Sequence, residues 1–193
     1  MNNKKWFWLF AILLIIDCAG TPQTNLYLLH PKNGSVSKTP SPVKVGIYPF
    51  KIDPVFTNPA IAIQYSEYEI QFYHYHRWAT NPATMINGAI GDYLKASNRF
   101  SAVLQLPATQ TSDIFVRGTI HKFVEWREGD RWFGLLKMDV SIFRTKDGQL
   151  LWRGSISKKV PAEKRNPLFV VKALSKATQE AAEELAGKIL GTY

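Results

Sequence analysis

Thiols are almost absent from this 193-residue chain, which has one cysteine, Cys18. An intrachain disulfide framework or a cysteine-ligated zinc site would need at least a second thiol, so the fold must rest on packing. Long apolar runs are missing too. Residues 6–16 (WFWLFAILLII) form a run of eleven, short of the about 20 that a bilayer core takes in a helix. Acidic residues are scarce, 15 against 24 lysines and arginines, for a formal net charge of +9. The basic residues are scattered rather than gathered with aromatics in a nucleic-acid motif, so no nucleic-acid partner is expected. Attraction to an anionic lipid surface, or a plain solvated face, remains. Reaction motifs are lacking as well. Gly129 and Gly134 have the spacing of P-loop glycines, but Leu135 and Leu136 stand where a lysine and a hydroxyl are required. There is no nucleophile-elbow serine and no HExxH helix, and no cofactor is expected. What the chain does have is 46% hydrophobic and 13% aromatic residues, enough for one core.

Two lysines, the short apolar run and then Asp17, Cys18 and Ala19 make the N-terminus a secretory leader rather than a membrane span. Cys18 falls where bacterial lipoproteins carry the residue that is acylated and becomes the new N-terminus. The segment resembles a lipobox, departing from it at Asp17, where the consensus has a small residue. The alternative is plain secretion with cleavage after Gly20. Acyl chains on Cys18 would hold the protein on a membrane face while the folded part stayed in water. Ala19 after the cysteine resembles the outer-membrane sorting pattern.

The expected organisation is a lipoprotein signal peptide at 1–17, a flexible tether with a short edge strand at 18–42, and one α+β domain at 43–193. Residues 20–42 are rich in Pro, Ser, Thr, Asn and Gly around the apolar island 26–29. Strands are expected at 43–47, 61–65, 68–73 and 100–106. Asn81 and Pro82 then open a helix over 82–97 whose stripe is Ile86, Ile90 and Leu94. Asn166 and Pro167 open a second helix through Val171, Leu174, Thr178, Ala181, Leu185 and Ile189. Between them lie three long period-2 segments with apolar even positions: Ile114, Val116, Ile120, Val124 and Trp126; Trp132, Leu136, Met138, Val140 and Ile142; Leu150, Trp152 and Ile156. Opposed residues share a face. A shared even face therefore excludes a two-residue turn at Gly129 and Asp130 and favours a three-residue loop, 128–130. That sets Trp126 opposite Trp132, Ile120 opposite Met138 and Val116 opposite Ile142. A second three-residue loop, 146–148, sets Trp152 against Ile142. The fold class is α+β: two layers, a mostly antiparallel sheet with two amphipathic helices packed on its even face.

His74 and His76 project to one side of a strand, and only His30 and His121 could join them. In a tyrosine-rich stretch they read as half-buried amphipathic fillers, and no metal site is assigned. Glu125 and Glu128 read as ion-pair partners of Arg131 rather than as paired catalytic carboxylates. The odd face is more informative. Phe115, Phe143 and Leu151 form one row, and Phe123 lies beside Leu135 in another. Polar rows run between them: Arg117, Ser141 and Arg153; Thr119, Asp139 and Ser155. Apolar islands on a face that should be solvated are covered either by the chain's own N-terminal strands or by a subunit or partner. Trp126 and Trp132 at a hairpin tip either pack across the strands or insert into a partner or lipid headgroups.

Three stretches together resemble the ABC-type transport auxiliary lipoprotein family, the PqiC-like group: NLYLL at 25–29, VKVGIYP at 43–49, and YHRWA at 75–79 leading through the first helix into RFSAV at 99–103. The resemblance covers about 26–189. It departs at 65–69, where the family has a basic, more polar turn. It implies a non-catalytic envelope lipoprotein, anchored through Cys18 on the periplasmic face of the outer membrane. Such a protein accompanies an ABC transporter, often one with an MCE-type lipid-shuttling component, and is a possible homo-oligomer. In that setting Phe115, Phe143, Leu151, Trp126 and Trp132 would meet partner or sister subunits. A structural envelope lipoprotein that binds peptidoglycan or builds a secretion pore is the other class that fits.

Overall fold

The structure, a computed structural model, describes residues 22–32 and 36–192. The leader and Cys18 lie outside the described residues. Nine strands and two helices follow in order: β1 (Asn25–Tyr27), β2 (Ser41–Ile47), β3 (Lys51–Ile52), β4 (Ala60–Gln64), β5 (Ile70–Trp78), α1 (Pro82–Ala96), β6 (Phe100–Gln105), β7 (Ile114–Glu128), β8 (Arg131–Arg144), β9 (Leu150–Pro161) and α2 (Pro167–Leu190). A 3-10 turn, Pro54–Thr57, links β3 to β4.

Both helices start as their sequences dictate. Asn81 Oδ1 accepts the Ala83 N–H at 2.9 Å and Asn166 Oδ1 accepts the Leu168 N–H at 2.9 Å, each with proline in the first turn. An asparagine cap satisfies one of the orphan amides of a first turn, and proline supplies none that needs a partner. α1 buries Ile86, Ile90 and Leu94 with Ala89 and Tyr93. α2 buries the expected stripe and also Val170, Ala173, Ala177, Ala182 and Ala186, because it is packed against both α1 and the β8–β9 pair. Small residues let α2 lie close to the sheet. Under it sits Gly134, where an added Cβ would come within 2.5 Å of the Leu174 backbone nitrogen. Each fully buried leucine or isoleucine here contributes about 1.5–3 kcal/mol.

β7 organises the sheet. One of its edges pairs antiparallel with β8 along its whole length, and β9 follows antiparallel on β8. The other edge takes three short parallel strands in tandem: β2 at Ile114–Val116, β3 at Thr119 and Ile120, and β4 at Glu125 and Trp126. β6 extends β2, while β5 and then β1 extend β4. The two long ladders make the sheet mostly antiparallel, and the parallel joints are brief.

The inner half of the β7–β8 register is as expected, with Phe115 opposite Phe143, Val116 opposite Ile142 and Ile120 opposite Met138. The outer half is not. A bulge between Ile120 and Lys122 adds His121 to β7, and Gly129 and Asp130 alone join Glu128 to Arg131. The exclusion of a two-residue turn assumed an unbroken ladder, and one extra residue reverses that parity. Gly129 takes φ 54°, the left-handed conformation that glycine adopts without a Cβ penalty. Trp126 therefore faces Phe133 and Trp132 faces Arg127, so the two tryptophans lie on opposite sides of the hairpin. Phe123 turns into the main core, its ring 5.0 Å from Trp78, and Val124 takes the place beside Leu135. The second hairpin also differs by one residue. Arg144 donates its N–H to Gln149 O, the connection runs from Thr145 to Gly148, and Gly148 has φ 71°. A second bulge at Leu151 restores Ile142 opposite Trp152, as expected, but places Leu150 opposite Phe143. Leu151 packs against the main core instead.

Candidate interaction surface

The side of β7, β8 and β9 turned away from the helices has two halves. Toward the β7–β8 turn, Val124 is fully buried beneath Phe56 of the 3-10 turn and Ala62 of β4, and Ile52, Ile70, Phe72 and Leu135 pack around them. The chain's own N-terminal strands thus cover this half. The apolar run of β4 and the turn before it supply the cover.

The other half is open. Phe115 and Phe143 stack flat, with centroids 4.9 Å apart and planes 15° apart, and Tyr48 meets Phe115 edge-on at 5.8 Å. Leu150 completes the row at 43% exposure. In the next row Arg117 lies opposite Ser141 and Ser141 opposite Arg153, as the alternation requires. The Arg117 guanidinium sits 4.7 Å above the Tyr48 ring and 5.0 Å above Phe115. Arg153 Nε donates to Ser141 Oγ at 3.1 Å. The third row is Thr119, Asp139 and Ser155. Tyr48, from the β2–β3 connection, and Lys51, from β3, reach this surface: the Tyr48 N–H donates to Val116 O at 3.0 Å, and Lys51 pairs with Thr119. Tyr48, Lys51 and the two polar rows line an open groove of about 790 Å³, and the Phe115 row lies beside it. Asp139 is held at its margin by His121, whose Nε2 lies 3.2 Å from Asp139 Oδ2 and whose Nδ1 lies 3.3 Å from Asp53 Oδ2.

At the hairpin tip each tryptophan is half-buried against a cation. Trp126 lies under the Lys122 ammonium at 4.9 Å and donates its indole N–H to Glu128 at 3.0 Å. Trp132 lies under the Arg127 guanidinium at 3.8 Å. Glu128 also holds Lys159 and, at 3.6 Å, Arg131. Glu125 does not reach Arg131 as expected. The bulge turns it inward, where it is fully buried and binds Arg127 Nε at 2.5 Å. Tyr73 donates its hydroxyl to Glu125 at 2.9 Å, and Arg127 donates to Tyr73 at 3.0 Å and to Tyr65 at 2.9 Å. Burial pushes the Glu125 carboxyl above its ordinary range, with the Arg127 guanidinium opposing, and burial beside Glu125 pushes the Tyr73 phenol up. This cluster ties β5 to the end of β7, since a buried charge is tolerated only when paired and hydrogen-bonded. The sequence signal for it was Glu125 and Arg127 two residues apart on a strand, and so on one face.

His76 shares a 2.9 Å hydrogen bond with the Tyr27 hydroxyl, and His74 is exposed. Among the described residues no group of three or more His, Cys, Asp or Glu side chains is placed to hold a metal ion, and no helix is long and apolar enough to cross a membrane.

An α+β domain with two helices on one side of a nine-stranded sheet is the class these observations define. The family model of the ABC-type transport auxiliary lipoprotein component matches residues 27–186, and the chain belongs to that family. The family is one of transport components rather than enzymes, and a lipoprotein family places its members in the cell envelope. No curated protein matches the chain. Among solved structures, protein XCC0632 from Xanthomonas campestris is similar at 16% identity with a TM-score of 0.79, over 88% of this chain and 96% of that one. An uncharacterized protein is similar at 13% identity with a TM-score of 0.71, over 87% and 99%. The hypothetical protein CT253 from Chlamydia trachomatis is similar at 10% identity with a TM-score of 0.51, over 78% and 97%. At these identities the likeness is one of fold.

Proposed function

We propose that this protein is a non-catalytic accessory subunit of an ABC-type transport system that works with an MCE-type component on lipids or solvents, and that acyl chains on Cys18 hold it on the periplasmic face of the outer membrane. The family match over residues 27–186 carries the reading. The leader supports it: a short apolar run, then the one cysteine, then Ala19. In this reading residues 1–17 are removed and 18–42 link the anchor to a single domain, 43–193. Part of that link docks on the domain, for Tyr27 and Leu29 pack against the core and the His30 N–H donates to Ser175 Oγ at 3.1 Å. Phe115 and Phe143 on the open half, and Trp126 at the tip, face the molecules that the subunit meets, whether transporter subunits or sister copies, while Trp132 packs against the main core. Leu151, turned to the core, cedes its place in that row to Leu150.

The test is purification of the full-length protein from membranes, with mass spectrometry of its N-terminus and of whatever co-purifies. A diacylated Cys18 together with a permease, an ATPase or an MCE subunit is expected, and Cys18→Ala should release the protein from the membrane and lose those partners. An intact unacylated leader, or recovery of peptidoglycan-binding factors alone, would overturn the assignment.

A further inference from the structure

The open groove gathers three cations against one acid. Arg127, Arg144 and Arg165 each hold a carboxylate, at 2.5, 3.0 and 2.6 Å. Lys51, Arg117 and Arg153 line one groove, and none of them forms an ion pair among the described residues. Asp139, 3.2 Å from His121 Nε2, is the single carboxylate in the lining, so the three cations leave it net positive. Arg117 and Arg153 flank Ser141 from neighbouring strands. Two strand spacings, about 10 Å, separate their Cα atoms. Arginine side chains are long enough to bridge that gap, and two guanidiniums on one tetrahedral oxyanion suit their planar donor forks. The Arg117 guanidinium rests on the Tyr48 and Phe115 rings, which join the cations to the apolar row.

The cations alone would suit any anion. What narrows the ligand is the adjoining row of Phe115, Phe143 and Leu150, apolar and part-exposed, on the same face one row away. An inorganic phosphate leaves that row in water, and so does a peptide whose side chains are acidic alone. An amphiphile with a phosphate next to hydrocarbon covers both. We propose that this groove binds an anionic phospholipid, its phosphate between Arg117 and Arg153 with Lys51 beside it, and the first part of its acyl chains over the Phe115–Phe143 stack. The inference is separate from the transport assignment, because headgroup binding can fail while acylation of Cys18 and partner capture succeed, and the reverse also holds.

The experiment titrates the protein as purified from membranes, in non-ionic detergent, with dihexanoyl phosphatidylglycerol, read by native mass spectrometry and ³¹P NMR. One bound lipid per chain is expected. Arg117→Gln with Arg153→Gln should weaken it at least about tenfold, the loss expected for charge-assisted hydrogen bonds, while Arg165→Gln should leave it unchanged. Binding of the unaltered protein should also weaken as salt is raised, a readout that does not depend on any variant folding. Equal affinity for dihexanoyl phosphatidylcholine would overturn the proposal by showing that net charge is not read. So would equal affinity for inorganic phosphate, which would make this a simple oxyanion site. Absence of saturable binding would overturn it too, as would a double variant that keeps the lipid but loses co-purifying subunits, which would make the groove a protein-docking surface.

Discussion

Two halves of the same outer face, built on the same three strands, meet different fates. Around Val124 and Leu135 the 3-10 turn and the β4–β5 pair fold over the hairpin and bury its apolar residues. Around Phe115 and Phe143 the cover stops at Tyr48 and Lys51, and the apolar row is left beside unpaired cations. The covered half therefore serves stability, and the open half can be altered without dismantling the core. His121 marks the border, since its extra residue reverses the alternation of β7. An apolar residue on a solvent-side row has two quite different meanings, and only the neighbouring segment decides between them.

The sharpest way to break that contrast is a pair of charge insertions. Val124→Asp puts a carboxylate into a closed apolar cluster and should cost more than about 3 kcal/mol in urea unfolding. Phe143→Asp removes one ring of an accessible stack and should cost only about 1–2 kcal/mol, leaving a folded protein that no longer captures its partner or ligand. Equal costs at the two positions would show the open half to be internal. A smaller effect concerns Glu125, buried in the covered end. Its native carboxyl holds a proton to higher pH than the same group in the unfolded chain. The native state therefore binds more protons across that window, and this contribution to stability is full at low pH and lost as pH rises through the raised value. Glu125→Gln removes the titration. Relative to the unaltered protein, its melting temperature should gain as pH rises above the ordinary carboxylate range. A relative loss with rising pH would mean that Arg127 outweighs burial.

The rows of the open half were legible because alternation from Ile114 to Ile120 and from Met138 to Ile142 is uninterrupted, and opposed residues follow from it. Past His121 the sequence KFVEWRE has apolar residues in both parities, so the bulge left no mark, and with it went the two-residue turn, the Phe123 position and the Glu125–Arg127 pair. Leu150 and Leu151 are chemically alike, which hid the second bulge. Tyr48 and Lys51 could not be placed on the groove from sequence, because they arrive through parallel pairing with β7, about 70 residues away, and periodicity is blind to such distant partners. Both helices were plain to read, because caps and stripe are local.

The tandem docking of β2, β3 and β4 along one edge of β7 sets an order of events. All three precede it in the chain. A nascent polypeptide, made from its N-terminus, can close the β4–β5 hairpin, wind α1 and pair β2 with β6, yet it cannot join β2, β3 and β4 into one sheet until residues 114–126 emerge. Contacts so far apart in sequence are slow to form. A stalled fragment ending before that point would carry bare strand edges open to proteolysis and to cross-pairing with its neighbours.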